Sequence, residues 1–375
     1  MGYYGCGNVG DDLLLSVILK QVLSWRSVSQ VIIKCLHLPP VNGDKRIRFE
    51  TCESILSDSS LPRWLKAWRY SIRMWKALKG VSIFIFGGGT LFHAENGSPT
   101  NLLLLLFVVA MARLRGARVY ALGVGVSPIR GVVPKTLMSA LLLLSRDFAV
   151  RDTSSMECCR TLAGGSLARK TADLVFLLDF PPRISKKACQ RVVGLTLASS
   201  AIHLQTGCHS NALKELAGVL NQLGREGWTL RFLSFQELII GDFQLSDSML
   251  LESLKHSGLE ATIDLVEVNS KRDAVAEVFS ELDLVIGMRF HGLVLAAISG
   301  IPFIGIGSDH KLSDLCEKYG APFFPVTRLN GQQLLSAVNG MKEQIPDPKI
   351  TEELKDAARK NLSAFQTKIA NRRGY

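Results

Sequence analysis

The chain has no C-x-x-C pair and no regular cysteine spacing, although it holds eight cysteines. That excludes a disulfide framework and a zinc ribbon, and it fits free thiols in a reducing compartment. Acidic residues are in deficit: 33 Asp and Glu stand against 44 Lys and Arg, for a net charge of +11. Nucleic acid, a membrane surface or a phosphorylated substrate would each answer that charge. Long apolar runs are also lacking. The longest, Leu102 to Ala112 in "NLLLLLFVVAMARLRG", has eleven residues, whereas a spanning helix takes about 20. It reads as a buried core helix. No secretory leader follows Met1, which runs straight into "GYYGCGNVGDD". The expectation is a cytoplasmic protein.

What is present is alternation. Short β-branched runs at 31–36, 81–86, 117–123 and 147–150 form one set of candidate strands. A second set lies at 192–197, 229–235, 283–287 and 302–307. Helical patterns lie between them, among them Asp11–Leu23, Leu61–Lys79, Leu102–Arg115, Ser154–Leu162, Asn211–Arg225 and His291–Ser299. Such alternation over 375 residues predicts an α/β protein with parallel sheets covered on both faces. Near Phe180 the pattern breaks at "DFPPRISKKACQR", where prolines and charges mark a linker. The domains are therefore expected at 1–180 and 181–375. The last segment, "ITEELKDAARKNLSAFQTKIANRR", reads as one exposed helix that can pack back on the first domain. At the other end, "GYYGCGNVGDDLLL" has the form of a loop that follows a strand and enters a helix, but the strand is not there. Either the start is misassigned or the sheet lacks that strand.

In parallel α/β folds, ligands sit beyond the carboxyl ends of the strands. Loops of unusual composition hold that position here: "GGGTLF" (87–92), "GVGVSP" (123–128), "VRDTSS" (150–155), "GMRFHG" (287–292) and "GIGSDHK" (305–311). Glycines let the backbone approach a ligand, and amides at a following helix start favour an anion. Gly88, Gly89 and Gly287 are candidate contacts of this kind. Taken singly, each loop also reads as a tight turn with no ligand. Together, with cations in three of them, they point to an anion site. In "VRDTSSMECC", Ser154 and Glu157 form a candidate capping box, and Arg151 then faces the strand end; the alternative is a surface pair with Asp152. His291 stands two residues after Arg289, at a strand end that opens a helix. A helix-cap histidine is the commoner reading of a lone imidazole. The neighbouring guanidinium and the strand-end position favour a proton-transfer role instead. Lys311 adds a point charge from the next strand end.

Taken in order, "GYYGCGNVGDDLLL", "FGGGTLF", "GVGVSPI", "VRDTSSMECCRTL", "TADLVF", "GLTL" and "GMRFHGLVLAAISGIPFIGIGSDHK" resemble the polysaccharide pyruvyl transferase family. The pattern R-x-H-x4-A-x3-G-x-P with a downstream D-x-K is its most specific part. The resemblance implies two Rossmann-like domains facing a cleft, as in GT-B glycosyltransferases. It also implies transfer of the pyruvyl group of phosphoenolpyruvate to sugar hydroxyls, with release of phosphate. By the matched motifs, Arg151, Arg289 and Lys311 are expected to bind phosphoenolpyruvate, and His291 to be the acid or base. No metal and no cofactor are expected, because Arg and Lys already answer the phosphate. Three places depart from the family pattern: the absent first strand, Ser127 in "GVGVSP", and Leu174 in "TADL". None touches the charged set. A nucleotide-sugar glycosyltransferase of the same fold and a non-catalytic glycan- or membrane-binding relative are the alternatives. The first would need an acidic ribose clamp, which is not evident. The second would have shed some of the four charged residues, and all are present.

The helix at 61–80, "LPRWLKAWRYSIRMWKALKG", carries six cations and no acid. At roughly 100° per residue, Trp64, Trp68 and Trp75 share one side, and Arg63, Lys66, Arg69, Arg73 and Lys76 most of the other. It reads either as a surface helix that buries its tryptophans or as a peripheral contact with the inner face of the plasma membrane, where a lipid-linked acceptor would lie. No recognition motif supports nucleic acid as a partner.

Overall fold

The computed structural model describes residues 1–2, 4–35, 37–39, 44–51, 62–87, 90–92, 100–180, 191–198, 209–240, 243–341 and 344–370. The chain divides into two compact units. One holds Met1–Cys6, Leu14–Leu177 and Leu354–Tyr375; the other holds Gly7–Leu13 and Leu178–Glu353. The interdomain linker read at 179–191 falls mostly on 181–190, outside the described residues.

The elements of the first part of the chain are α1 (Val9–Leu23), β1 (Val31–Cys35), β2 (Ile47–Thr51), α2 (Arg63–Ala77), β3 (Ile83–Gly87), β4 (Thr90–Phe92), α3 (Thr100–Leu114), β5 (Arg118–Val126), α4 (Val132–Leu144), β6 (Asp147–Val150), α5 (Thr153–Arg160) and β7 (Ala168–Lys170). Strands β3, β5, β6 and β7 lie in that order in a parallel sheet, with β4 also against β5. Strands β1 and β2 form a separate parallel pair. The core of this unit joins Phe86, Val119, Ala121 and Phe148 of the sheet to Val108, Val109 and Ala112 of α3 and Leu141 and Leu142 of α4, all buried. Strands buried on both faces are mainly apolar, and β6 (DFAV) is buried at every position, its one acid, Asp147, paired with Arg169 at 2.7 Å.

Two helices differ from their sequence reading. Helix α3 buries Leu102, Leu105, Val108, Val109, Met111 and Ala112. It leaves Leu103, Leu104, Phe107 and Leu114 exposed, because a helix packed on one side of a sheet can cover only one of its faces. On α2 the buried face is Tyr70, Met74 and Ala77, while Trp68 is 58% and Trp75 41% exposed. Both tryptophans therefore point outward, beside the exposed Arg69, Ile72 and Lys76. The side chains of Arg63 and Trp64 lie outside the described residues.

The second part continues with β8 (Arg191–Thr196), α6 (His209–Arg225), β9 (Trp228–Ser234), β10 (Glu237–Ile240), β11 (Phe243–Ser246), α7 (Ser248–His256), β12 (Ile263–Glu267), α8 (Arg272–Ser280), β13 (Leu284–Gly287), α9 (Phe290–Ile298), β14 (Phe303–Gly307), α10 (His310–Tyr319), β15 (Phe323–Pro325), α11 (Gly331–Gly340) and α12 (Pro348–Ala370). Six parallel strands run in the order β12-β9-β8-β13-β14-β15. The order reverses direction of growth beside β8, so the carboxyl ends of β8 and β13 form a switch point where loops part. Strands β10 and β11 make a separate antiparallel hairpin. The C-terminal helix is not fully exposed as expected. It buries Leu354, Ala358 and Leu362, and Asn361 is tied to Thr171 Oγ1 and Ala172 O at 3.0 Å each.

Candidate functional site

The central strand β13 is buried at all four positions and ends at Gly287, which pairs with Thr196 of β8. The carbonyl of Thr196 accepts the N–H groups of Met288 at 2.8 Å and Arg289 at 3.0 Å. This fixes the turn from strand to helix. A β-carbon on Gly287 or Gly292 would meet Thr196 Oγ1 at 2.4 or 2.5 Å, so both positions need glycine for the helix to start this close to the sheet.

Arg289 caps α9 in an extended conformation without a side-chain cap. Its guanidinium instead reaches Asp247, which is fully buried, in a two-point pair: Nη2 bonds Oδ1 and Nε bonds Oδ2 at 3.2 Å. Asp247 Oδ2 also accepts the N–H groups of Phe235 and Gln236, at 3.2 and 3.1 Å. Burial pushes the Asp247 carboxyl above the usual range, against the pull of Arg289 and of those two amides. The pair locks the planar fork of Arg289 in one orientation.

His291 lies in the first turn of α9, its ring edge-on to Phe290 with centroids 5.6 Å apart. Its other wall is Gly10. A β-carbon there would come within 1.9 Å of His291 Nδ1 and 2.4 Å of Cγ, so the imidazole rests on bare backbone. Gly10 is held by its own loop. Asn8 Oδ1 accepts the N–H of Gly10 at 3.0 Å and of Asp11 at 3.4 Å, capping α1. The same loop docks on the end of β9: Val9 N–H donates to Phe235 O, and Glu237 N–H to Gly7 O, each at 3.0 Å. One short stretch, Phe235–Glu237, thus anchors both the loop that backs His291 and the carboxylate that holds Arg289.

Lys311 follows the neighbouring strand β14, whose Gly305 pairs with Gly287. It lies in the first turn of α10, with Nζ 2.7 Å from the half-exposed Asp309. Arg289, His291 and Lys311 are therefore gathered at adjacent strand ends of the second unit. Two helix starts, those of α9 and α10, add their amides there, which favours an anion.

Arg151 belongs to the first unit. It follows β6 and is buried, with Nη1 3.0 Å from Asp173 Oδ2 and Nε 3.5 Å from Asp152. The pair with Asp152 is thus buried rather than a surface pair. A bulge in β5 at Gly123 (φ 57°) brings Gly125 beneath the guanidinium, where a β-carbon would meet Arg151 Nη2 at 2.9 Å. The cap of α5 is Asp152, which accepts Ser155 N–H at 2.7 Å. Ser154 does not cap; its hydroxyl donates to Asp152, because Asp152 stands at the cap position and Ser154 already lies within the first turn of the helix. Of the proposed loop contacts, Gly287 shapes the α9 turn, while Gly88 and Gly89 lie outside the described residues.

Gly10, Asn8, Thr196 and Asp247 were not picked from the sequence as site residues. Gly10 and Asn8 stand in the quoted "GNVGDD", so a signal was there. Asp247, in "QLSDSML", carries none: only the fold brings it to Arg289. The buried thiols of Cys159 and Cys316 are pushed up to about 12 by burial, which removes them as nucleophiles.

The family model described as polysaccharide pyruvyl transferase matches residues 8–310. No curated protein sequence matches the chain. Among solved structures, the chain is similar to Anabaena HepE in complex with UDP and glucose, at 13% identity and a TM-score of 0.56, covering 99% of this chain and 97% of that one. It is similar to the UDP-GlcNAc 2-epimerase of Methanocaldococcus jannaschii at 12% identity and TM-score 0.61, covering 93% and 95%. It is also similar to MurG of Acinetobacter baumannii at 13% identity and TM-score 0.51, covering 98% of each. At these identities the likeness shows the fold alone, which is that of the GT-B glycosyltransferases and epimerases.

Proposed function

The chain belongs to the polysaccharide pyruvyl transferase family, and from that premise we propose that it transfers the pyruvyl group of phosphoenolpyruvate to two hydroxyls of a sugar. The sugar is part of a cell-surface polysaccharide or its lipid-linked precursor, and the product is a pyruvate ketal. The observation that supports this reading is the grouping of Arg289, His291 and Lys311 at adjacent strand ends, with His291 seated on Gly10. Phosphoenolpyruvate carries a phosphate and a carboxylate on three carbons. Arg289 answers one group through the part of its guanidinium that the Asp247 pair leaves, and Lys311 answers the other as a point charge.

The bonds balance as follows. His291 gives a proton to C3, which becomes the methyl group and leaves C2 electron-poor. One sugar hydroxyl adds to C2 and loses its proton. The C2–O bond to phosphate then breaks, and the second hydroxyl closes the ketal. Of the two hydroxyl protons, one restores His291 and one leaves with phosphate. Arg289 and Lys311 stabilise the departing anion, so the scheme invokes no metal or cofactor. Arg151 remains a proposed donor-binding group; an anion at the end of β6 would have to share its guanidinium with Asp173.

The outward face of α2 and α3 supports peripheral contact with an anionic membrane. Trp68, Ile72, Trp75, Leu103, Phe107 and Leu114 are exposed, and Arg115 stacks 3.9 Å over Trp75 and donates to its carbonyl. Neither helix contains an acid. Among the described residues no helix is long and apolar enough to cross a bilayer, so the contact would lie on the surface.

Titration calorimetry tests the donor. Phosphoenolpyruvate should bind the protein, with Arg289→Ala and Lys311→Ala each weakening binding at least tenfold and His291→Gln changing it less than about threefold. Binding of UDP-glucose with none of phosphoenolpyruvate would favour a nucleotide-sugar enzyme instead, a reading prompted by the UDP bound to HepE.

A further inference from the structure

The buried face of α12 is apolar at Leu354, Ala358 and Leu362, which recur at helical spacing. Asn361 interrupts it. This residue has no exposed surface, and a buried amide needs a partner at each of its ends. It finds both in the short stretch Thr171–Ala172 that follows β7. Asn361 Nδ2 donates to Ala172 O, and Thr171 Oγ1 donates to Asn361 Oδ1, each at 3.0 Å. A carbonyl can only accept, so the contact with Ala172 settles which end of the amide is the nitrogen.

The same stretch holds Arg151 from two sides. On one side, Thr171 N–H donates to Val150 O at 2.8 Å, and Thr171 Oγ1 lies 2.9 Å from that oxygen. Val150 O belongs to the peptide group that leads into Arg151, so Thr171 fixes the backbone from which the guanidinium springs. On the other side, Asp173 follows Ala172 directly and accepts from Arg151 Nη1 at 3.0 Å. Asp173 Oδ1 accepts Val175 N–H at 2.9 Å. Thr171 has one hydroxyl proton and two acceptors in reach. Val150 O already has the Thr171 N–H, so the proton is at the disposal of Asn361 Oδ1. A buried polar chain thus runs from Asn361 through Thr171 and Ala172 to Asp173 and Arg151.

A helix that had only to cover the sheet would carry leucine at 361, as it does at 354 and 362. Leucine leaves no polar group to match, but it cannot tie down the two residues ahead of Asp173. That tie bears on the guanidinium, because the side chains of Arg151 and Asp173 are 2% and 1% exposed. Packing this close transmits small shifts from one side chain to the next.

We propose that Asn361 is a positioning residue for the donor site: through Thr171 and Ala172 it fixes the Asp173 carboxylate and so the orientation in which Arg151 meets the anionic donor. This rests on the reading of Arg151 as a donor-binding group. Asn361 lies behind the ion pair and acts through it. Its effect falls on donor affinity and not on proton transfer, which belongs to His291 in the other unit. The competing view is that Asn361 only pins the register of α12 on the sheet. Its loss would then act like any other loosening of that helix.

The experiment compares the full chain with Asn361→Leu, Thr171→Val and Leu362→Ala. Asn361→Leu keeps the buried face filled and removes both hydrogen bonds. Thr171→Val removes the hydroxyl from the opposite side. Leu362→Ala takes packing from the same turn of α12 and no hydrogen bond. Two quantities are read beside the melting temperature. The first is solvent exchange of the Arg151 Nε–H in protein carrying isotope-labelled arginine, the signal being assigned by its loss in Arg151→Lys. The second is the affinity for phosphoenolpyruvate by titration calorimetry. Asn361→Leu should speed the exchange at least tenfold and weaken binding at least fivefold, and Thr171→Val should move both in the same direction. Leu362→Ala should lower Tm as much or more, yet change both quantities less than twofold. If Leu362→Ala matched Asn361→Leu in the exchange of Arg151, the proposal would be overturned. Unchanged affinity in Asn361→Leu, where the wild type binds, would overturn it too. A wild type that binds no phosphoenolpyruvate would strike the donor reading instead, and the Arg151 exchange would still decide whether Asn361 positions that residue.

Discussion

The imidazole of His291 is seated on Gly10 so closely that a β-carbon on that residue would fall 1.9 Å from Nδ1. The two residues are about three quarters of the chain's length apart in sequence. They meet because the loop at Asn8–Gly10 docks on Phe235–Glu237, beside the carboxylate that holds Arg289.

Gly10→Ala should therefore act on chemistry before it acts on folding. The added methyl must push the His291 ring aside, and a displacement of about 1 Å from a reactive geometry can cost on the order of 100-fold in rate. The expected outcome is a kcat lowered tenfold or more with Tm changed by only a few degrees. Unchanged kcat would show that the position of His291 against Gly10 does not matter to turnover.

His291→Gln and Asp247→Asn should separate two roles. The first removes a proton donor and should reduce kcat by 100-fold or more, with little change in the affinity for phosphoenolpyruvate. The second loosens the fork of Arg289 and should raise KM several-fold with a smaller loss in kcat. Because it weakens a buried ion pair, it should also cost stability, by about 3 kcal/mol. Steady-state kinetics beside denaturant unfolding reads both.

Much of this arrangement is legible in the sequence. The strands β5, β6, β8, β9, β13 and β14 follow from apolar runs with glycine or charge at their ends, and "GMRFHG" announces its own position at a strand end. What is not legible depends on which surface meets which. Trp68 and Trp75 look like core residues by type, yet the helix turns Tyr70 and Met74 inward instead, a choice set by the sheet it packs on. Asp247 reads as an ordinary loop acid, and its burial beneath Arg289 needs the β10–β11 hairpin to return the chain to β9. Short edge strands such as β7 and β15, three residues each, carry too little pattern to be seen.

The outward tryptophans lead to a measurement on vesicles. Co-sedimentation with anionic vesicles should exceed that with neutral ones and should fall as salt rises, because exposed charges are screened. Changing Arg69, Lys76 and Arg115 to Gln should weaken it, at about 1 kcal/mol per cation. Trp68→Ser with Trp75→Ser should weaken it further by removing the apolar anchor. Equal sedimentation of all forms with both vesicle types would leave α2 as a plain surface helix.

The amino terminus makes a pH prediction. Burial, with Lys34 nearby, lowers the Met1 ammonium from 8.0 to about 5. Between those values the unfolded chain holds a proton that the folded chain has released. Stability must then rise as pH goes from about 5 to 8, by roughly 3 kcal/mol. Below about 5 both states are protonated and the full cost of the buried charge remains. N-terminal acetylation should remove this increment, read as the difference in urea midpoint between pH 5 and 8 for the two forms. An identical increment in both would place the titration elsewhere.

The central claim is that this chain makes a pyruvate ketal from phosphoenolpyruvate. The most direct measurement incubates the protein with phosphoenolpyruvate labelled in its pyruvyl carbons and a panel of sugar and lipid-linked sugar acceptors, with a chelator present. Released phosphate and acid-labile label on the acceptor are then counted. The account predicts that the two appear in equal amounts, that the chelator does not stop them, and that His291→Gln abolishes both. Phosphate released without label on any acceptor, or label transferred only from a UDP-sugar, would contradict it.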